Sequence, residues 1–121
     1  MIKLTFCLHR LPALTRVAFQ SYWRETHAPL VMSVQNALRI RRYVQLHSMP
    51  EDMETELRAT RKGPAGYDGV AEIWWDSLDD LAHIAADPAA IDAGRLLLED
   101  ERKFIDLERS PLFWGMEQTI I

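Results

Sequence analysis

A single cysteine stands in this chain of 121 residues. Cys7 alone can form no internal disulfide and supplies no Cys-rich metal cage. Long apolar runs are also lacking: none approaches the ~20 residues that cross a bilayer. The apolar start from Met1 to Cys7 is cut off by His9 and Arg10, which is not the pattern of a signal peptide. A cytoplasmic protein without a membrane partner is expected. A large excess of one charge is lacking too. Lys and Arg number 14 against 18 Asp and Glu, and the net charge of -4 is spread along the chain. That balance argues against nucleic acid as the partner. No His, Cys or Gly spacing matches a zinc, haem or phosphate-loop motif, so no metal and no cofactor are expected.

What the chain does have is alternating and helical periodicity, in an order that fits one domain over residues 1–121. Ile2, Leu4, Phe6 and Leu8 alternate with Lys3, Thr5 and Cys7, the pattern of a strand. Pro12 breaks it. Thr15 is placed as a helix N-cap, with Leu14 and Phe19 as a hydrophobic staple. A helical stripe through Phe19, Trp23, Leu30 and Val34 follows, and Pro29 should interrupt it near Ala28. A second strand is expected from Arg39 to His47, and a charged exposed loop with at most one helical turn from Ser48 to Gly66. Gly69 to Asp76 reads as a third strand. Ser77 opens a short helix with a capping-box-like pattern, and Asp87-Pro88 starts a longer helix expected to reach Arg109. Leu112 to Ile121 reads as the last strand.

The order βαββαβ is that of an α+β, ferredoxin-like fold: an antiparallel four-stranded sheet with both helices on one face. Bulky apolar residues occur on both faces of the strands, as in Trp74-Trp75 and Phe113-Trp114. The uncovered face therefore calls for a partner, and two sheets packed face to face would make a homodimer.

The segment Tyr22-Trp23, with His27-Ala28-Pro29-Leu30, carries a family likeness. Together with Phe6-Cys7-Leu8, Tyr67-Asp68-Gly69-Val70-Ala71-Glu72, Asp100-Glu101 and Phe104-Ile105-Asp106, it resembles the EthD family, named after an ethyl tert-butyl ether degradation protein. The resemblance implies a dimeric α+β barrel of ferredoxin-like subunits. It does not imply one reaction. EthD-like proteins accompany catabolic gene clusters, related fungal proteins act on polyketides as dehydratases or decarboxylases, and wider relatives include cyclases, isomerases and haem-degrading monooxygenases.

Helical phase singles out two carboxylates. Asp100 falls between Leu97 and Phe104 on the apolar stripe of the long helix, and Glu101 lies close to the stripe's centre. A carboxylate there must be hydrogen-bonded, paired or protonated. It is either an acid or base at a cavity, or a structural group paired with a cation. His27 has the same two readings: an acid/base near neutral pH, or a cap for carbonyls freed by Pro29. Topology places His9 and His47 at one end of the sheet and His27 at the other, near Lys3, Thr5, Arg41 and Asp76, so that no single metal site unites them. Cys7 is expected to be buried and inert.

The leading expectation is a hydrophobic small molecule, of aromatic or polyketide type, held in an apolar pocket between helices and sheet. Its chemistry would be cofactor-independent proton transfer of the lyase or isomerase kind, in dehydration, cyclisation or isomerisation. His27 and Asp100 are the catalytic candidates; Tyr22, Trp23, Tyr43 and Phe104 are the ligand-binding ones. A non-catalytic accessory protein and a haem binder are the alternatives.

Overall fold

The computed structural model describes residues 1–121. Four strands, β1 (Ile2–Leu8), β2 (Arg42–His47), β3 (Gly69–Trp75) and β4 (Leu112–Gly115), form one antiparallel sheet in the order β2-β3-β1-β4. β1 and β2 are therefore parallel to one another with β3 between them. This is the α+β, ferredoxin-like arrangement. β1 pairs with β3 so that Leu4 faces Ile73 and Phe6 faces Ala71, while β2 adds Tyr43 opposite Ile73 and Gln45 opposite Ala71. Side chains alternate across a sheet, so these residues share the face that meets the helices.

The first helical segment starts where expected. The Thr15 hydroxyl accepts from the Ala18 amide at 3.1 Å, the bond of an N-cap. Pro29, however, does not break the helix. α1 (Arg16–Tyr22) passes through a π-helical turn (Trp23–His27) into α2 (Ala28–Ser33) without interruption. The Ala28 amide reaches back five residues to the Trp23 carbonyl. The wide turn puts Pro29 near the start of α2, where a missing N–H costs least.

Four other expectations change. The segment read as a loop contains α3 (Glu51–Ala59), an exposed helix with acidic Glu51, Asp52 and Glu54 in its first turn. These charges suit the positive end of the helix dipole, and no buried residue announces it in the pattern. Ser77 makes no side-chain cap to α4 (Leu78–Ala86), so the capping-box reading fails. α5 (Pro88–Glu101), capped by Asp87 at 3.1 Å from the Ala90 amide, ends two turns short of Arg109. A bridge between Arg10 and Ile105, and the Leu11 amide bonded to the Phe104 carbonyl, pull the chain out of helical form there. A short 3₁₀ turn (Leu107–Arg109) precedes β4, which stops at Gly115.

The core fills the space between helices and sheet in two adjoining groups. Val31, Leu38, Ile40, Trp75, Ala90, Ala93 and Leu97 make one; Leu8, Phe19, Trp23, Ala71, Phe104 and Ile105 make the other. The opposite sheet face carries Val44, Leu46, Val70, Cys7 and Phe113, but also charge. Lys3 pairs with Glu72 at 2.6 Å, and Lys3 and Arg42 both lie over the Trp74 ring. Trp74 is thus covered by cations. Cys7 is half-buried, and burial pushes its thiol pKa up. No helix is long and apolar enough to cross a membrane.

Candidate active site

The π-helical turn and the end of α5 face each other and bring three polar side chains together. His27 Nδ1 lies 2.7 Å from Asp100 Oδ2, and the Tyr22 hydroxyl donates to Asp100 Oδ1 at 2.6 Å. His27 and Asp100 are only 5 % and 6 % exposed, so neither exchanges these bonds for water at low cost. A carboxylate accepts only, and Nδ1 therefore carries the hydrogen. Nε2 is left with its lone pair.

The charges fit this assignment. Burial lowers the His27 pKa more than Asp100's hydrogen bond and negative charge raise it, so the ring is neutral at neutral pH. Burial pushes Asp100 up, but the bonds from Tyr22 and His27, with the charges of His27 and Lys103, together hold it below its ordinary value. Lys103 Nζ sits 3.6 Å from Asp100 Oδ1. Burial, then the bond to Asp100, pushes the Tyr22 hydroxyl up to about 12, so it remains a donor.

His27 lines a small, partly enclosed cavity of about 40 Å³ between helices and sheet, with Trp23, Tyr43, Glu101 and apolar walls that include Phe6, Val31 and Ile73. Glu101 is the second polar group there. Burial, then the Asp100 charge, pushes its carboxyl up to about 7, so a large fraction is protonated near neutrality. Of the six expected site residues, His27, Trp23 and Tyr43 line this cavity. Asp100, Tyr22 and Phe104 stand behind it. Phe104 is fully buried, its ring 5.0 Å from that of His27 and 5.1 Å from that of Tyr22. Helical phase marks Glu101 in the sequence but assigns it no role. Gln45 is absent from the expected set, although its alternation with Tyr43 and His47 sets it on the same face.

His27 does not lie at the far end of the sheet. It shares its cavity with Tyr43, Ala71 and Ile73 at mid-sheet, because the helix crosses the sheet close to Trp23, whose ring stacks on His47 at 4.5 Å. His83 is half-buried and sits 3.3 Å from the Ala37 carbonyl. No group of three or more His, Cys, Asp or Glu side chains is placed to hold a metal ion.

Comparison with known proteins agrees with the fold. The EthD domain pattern matches residues 11–108. The chain belongs to the EthD family. A relative from Metarhizium robertsii, the conidial pigment biosynthesis dehydratase EthD, is 25% identical over 118 residues, covering 95% of this chain and 81% of its own. The crystal structure of an EthD family protein from Bacillus halodurans superposes with a TM-score of 0.61 at 19% identity, over 98% of this chain and 100% of that one. A dimeric protein of ferredoxin-like fold from Bacteroides fragilis superposes with a TM-score of 0.57 at 11% identity, over 94% and 93% of the two chains. Both structural likenesses carry the fold. Within this EthD domain, the Tyr22–Asp100–His27 group joins the two helices that the family pattern spans.

Proposed function

We propose that this EthD-family protein binds a hydrophobic small molecule, of aromatic or polyketide type, and removes water from it by cofactor-independent acid/base chemistry. The observation that carries this reading is a neutral imidazole, fixed through Nδ1 by Asp100 and Tyr22, lining the same apolar cavity as a carboxyl group of raised pKa. Two titratable groups whose surroundings set them to opposite tasks are what an elimination needs. His27 Nε2 takes a proton from carbon. The C–H electron pair becomes the new double bond, and a hydroxyl on the adjacent carbon leaves with the proton of Glu101 as water. Return of the proton from His27 to Glu101 resets the site. Asp100 and Tyr22 hold the ring and stabilise the imidazolium as it forms. The dehydratase name of the Metarhizium relative supports the same reaction class.

The cavity of about 40 Å³ takes only the reacting end of a ligand. Beside it lies a groove of about 310 Å³ along β2 and α2, and Val31 and Tyr43 line both spaces. The body of the ligand lies in that groove. A haem macrocycle finds no comparable room at His27. The working unit is a cytoplasmic homodimer through the open sheet face, as the dimeric Bacteroides neighbour suggests. Its place is a catabolic or secondary-metabolite pathway.

The test follows dehydration of the benzaldehyde–acetone aldol adduct by the absorbance of the enone product. The wild type is expected to exceed the buffer rate, and His27→Ala and Asp100→Asn to lose that excess while remaining folded. Unchanged rates in both variants would remove the mechanism. The small size of the cavity favours one second reading, a carrier. It predicts that binding of the adduct, read by tryptophan quenching, survives in His27→Ala and that even the wild type forms no product.

A further inference from the structure

A second hydrogen-bond chain, separate from Asp100, runs along the helix-facing side of β2. Gln45 Nε2 lies 3.0 Å from the Trp23 carbonyl oxygen and 2.8 Å from Tyr43 Oη, and Gln45 Oε1 lies 2.8 Å from His47 Nε2. The direction of every bond in this chain follows from its first member. A carbonyl oxygen can only accept, so the Gln45 atom facing Trp23 is the amide nitrogen. Its second hydrogen then points at Tyr43, whose phenolic oxygen accepts. The Gln45 oxygen must in turn accept from His47, which fixes the Nε2–H tautomer. His47 Nδ1 is buried with no partner. Burial, then the charge of Arg24, lowers the His47 pKa, so the ring stays neutral and the chain does not reverse. Stacking on Trp23 holds the ring in place.

Tyr43 is the end of this chain. Its oxygen already accepts from Gln45, and its own O–H hydrogen is not used by any protein acceptor. The residue lines the same cavity as His27 and Glu101. The cavity therefore holds an obligate acceptor at His27 Nε2, a donor at Tyr43, and a carboxyl able to act as either.

We propose that Tyr43 donates a hydrogen bond to a carbonyl oxygen of the ligand, with Gln45 and His47 as positioning residues, and that the ligand is a ketone carrying a removable proton on the carbon next to its carbonyl. This rests on the ligand-binding reading above and names its substrate class. A donor and a base on one small cavity match that pair of groups. As His27 Nε2 takes the α-proton, the C–H electron pair forms the carbon–carbon double bond and the carbonyl pair moves onto oxygen. Tyr43 stabilises the charge that gathers there. When the oxygen pair returns to re-form the carbonyl, the enolate double-bond pair moves to the bond between the α- and β-carbons, the β-hydroxyl leaves with the Glu101 proton as water, and no oxidant or reductant is needed.

The experiment uses α-tetralone as probe and tetralin, which lacks the oxygen, as control. The carbonyl stretch of bound α-tetralone is read by difference infrared spectroscopy in the wild type, Tyr43→Phe and Gln45→Met. In the wild type the stretch should move to lower frequency. Tyr43→Phe should lose that shift and bind α-tetralone about tenfold more weakly, the worth of one hydrogen bond to a buried oxygen, while tetralin binds all three proteins alike. Gln45→Met leaves the hydroxyl but frees it to rotate, so the band should broaden and shift less. A merely structural role for Tyr43 would weaken α-tetralone and tetralin equally and leave the frequency unmoved. An identical band in the wild type and both variants overturns the assignment and leaves the ligand reading standing. If Tyr43→Phe does not fold, the Gln45→Met band decides alone. If neither probe binds the wild type, the proposed function fails together with this inference.

Discussion

Glu101→Gln offers a measurement in which stability reads out the chemistry of the cavity. In the unfolded chain this carboxyl ionises at its ordinary 4.5, and in the fold, through burial and then Asp100, at about 7. A folded pKa above the unfolded one means that the fold favours the protonated group. Its contribution is fully present below pH 4.5 and is lost as pH rises through about 7. A tenfold change in proton affinity is worth about 1.4 kcal/mol, so holding Glu101 ionised in the fold costs roughly 3 kcal/mol. Glutamine keeps the shape and never ionises. In urea denaturation at fixed protein concentration, the variant should be more stable than the wild type by about 2–3 kcal/mol at an alkaline pH of roughly 8.5. The gap should narrow steadily below neutrality and nearly close towards pH 4.5. Because Asp100's charge contributes to the shift, the gap should be smaller in an Asp100→Asn background. A difference between the wild type and Glu101→Gln that is the same at both pH values would refute the reasoning, since Glu101 would then not be a carboxyl of raised pKa.

Two further outcomes follow from close contacts. An alanine methyl at Gly69 would run into the Trp23 ring and meet the Leu46 carbonyl at 2.8 Å, so Gly69→Ala should lower stability by about 1–3 kcal/mol in thermal melts. Tyr22→Phe removes one of the two donors to Asp100 and should cost about 1–2 kcal/mol in urea melts. The same variant should raise the pKa of Asp100, visible in a carboxyl titration, because a bond that favours its ionised form is gone.

The sheet was legible because its strands alternate cleanly. Ile2, Leu4, Phe6 and Leu8 mark one face in the sequence, and that face meets the helices in the fold. The helix N-caps at Thr15 and Asp87 were legible for an equally local reason, a side chain bonding an amide three residues on. Segment 51–59 was not, since Glu54 and Arg58 are its half-buried residues while its apolar Met53 and Leu57 stand exposed, so its period does not point to the core. The end of α5 was missed because Ile105 is claimed by a bridge to Arg10, a contact from the other end of the chain. In the site, phase alone put Asp100 and Glu101 on a buried stripe. It could not say that one residue faces His27 and the next faces the cavity, because that depends on how the two helices cross. Gln45 was invisible for a different reason: its meaning lies in the direction of its hydrogen bonds, which no spacing encodes.

The π-helical turn at Trp23–His27 also makes this stretch sensitive to length in a way the rest of the helix is not. It holds one residue more than an α-helical path would need, and Pro29 follows it at the first turn of α2. Loss of that residue would close the wide turn into a regular helix and leave the side chains after it on the faces they hold now. Pro29 would then lie in the interior of one regular helix, where its missing N–H is costly. Single-residue exchanges around His27 leave that count intact. A one-residue gap there removes the wide turn that seats His27 without re-aiming α2, so among related chains a missing residue between Tyr22 and Pro29 would mark a different kind of site.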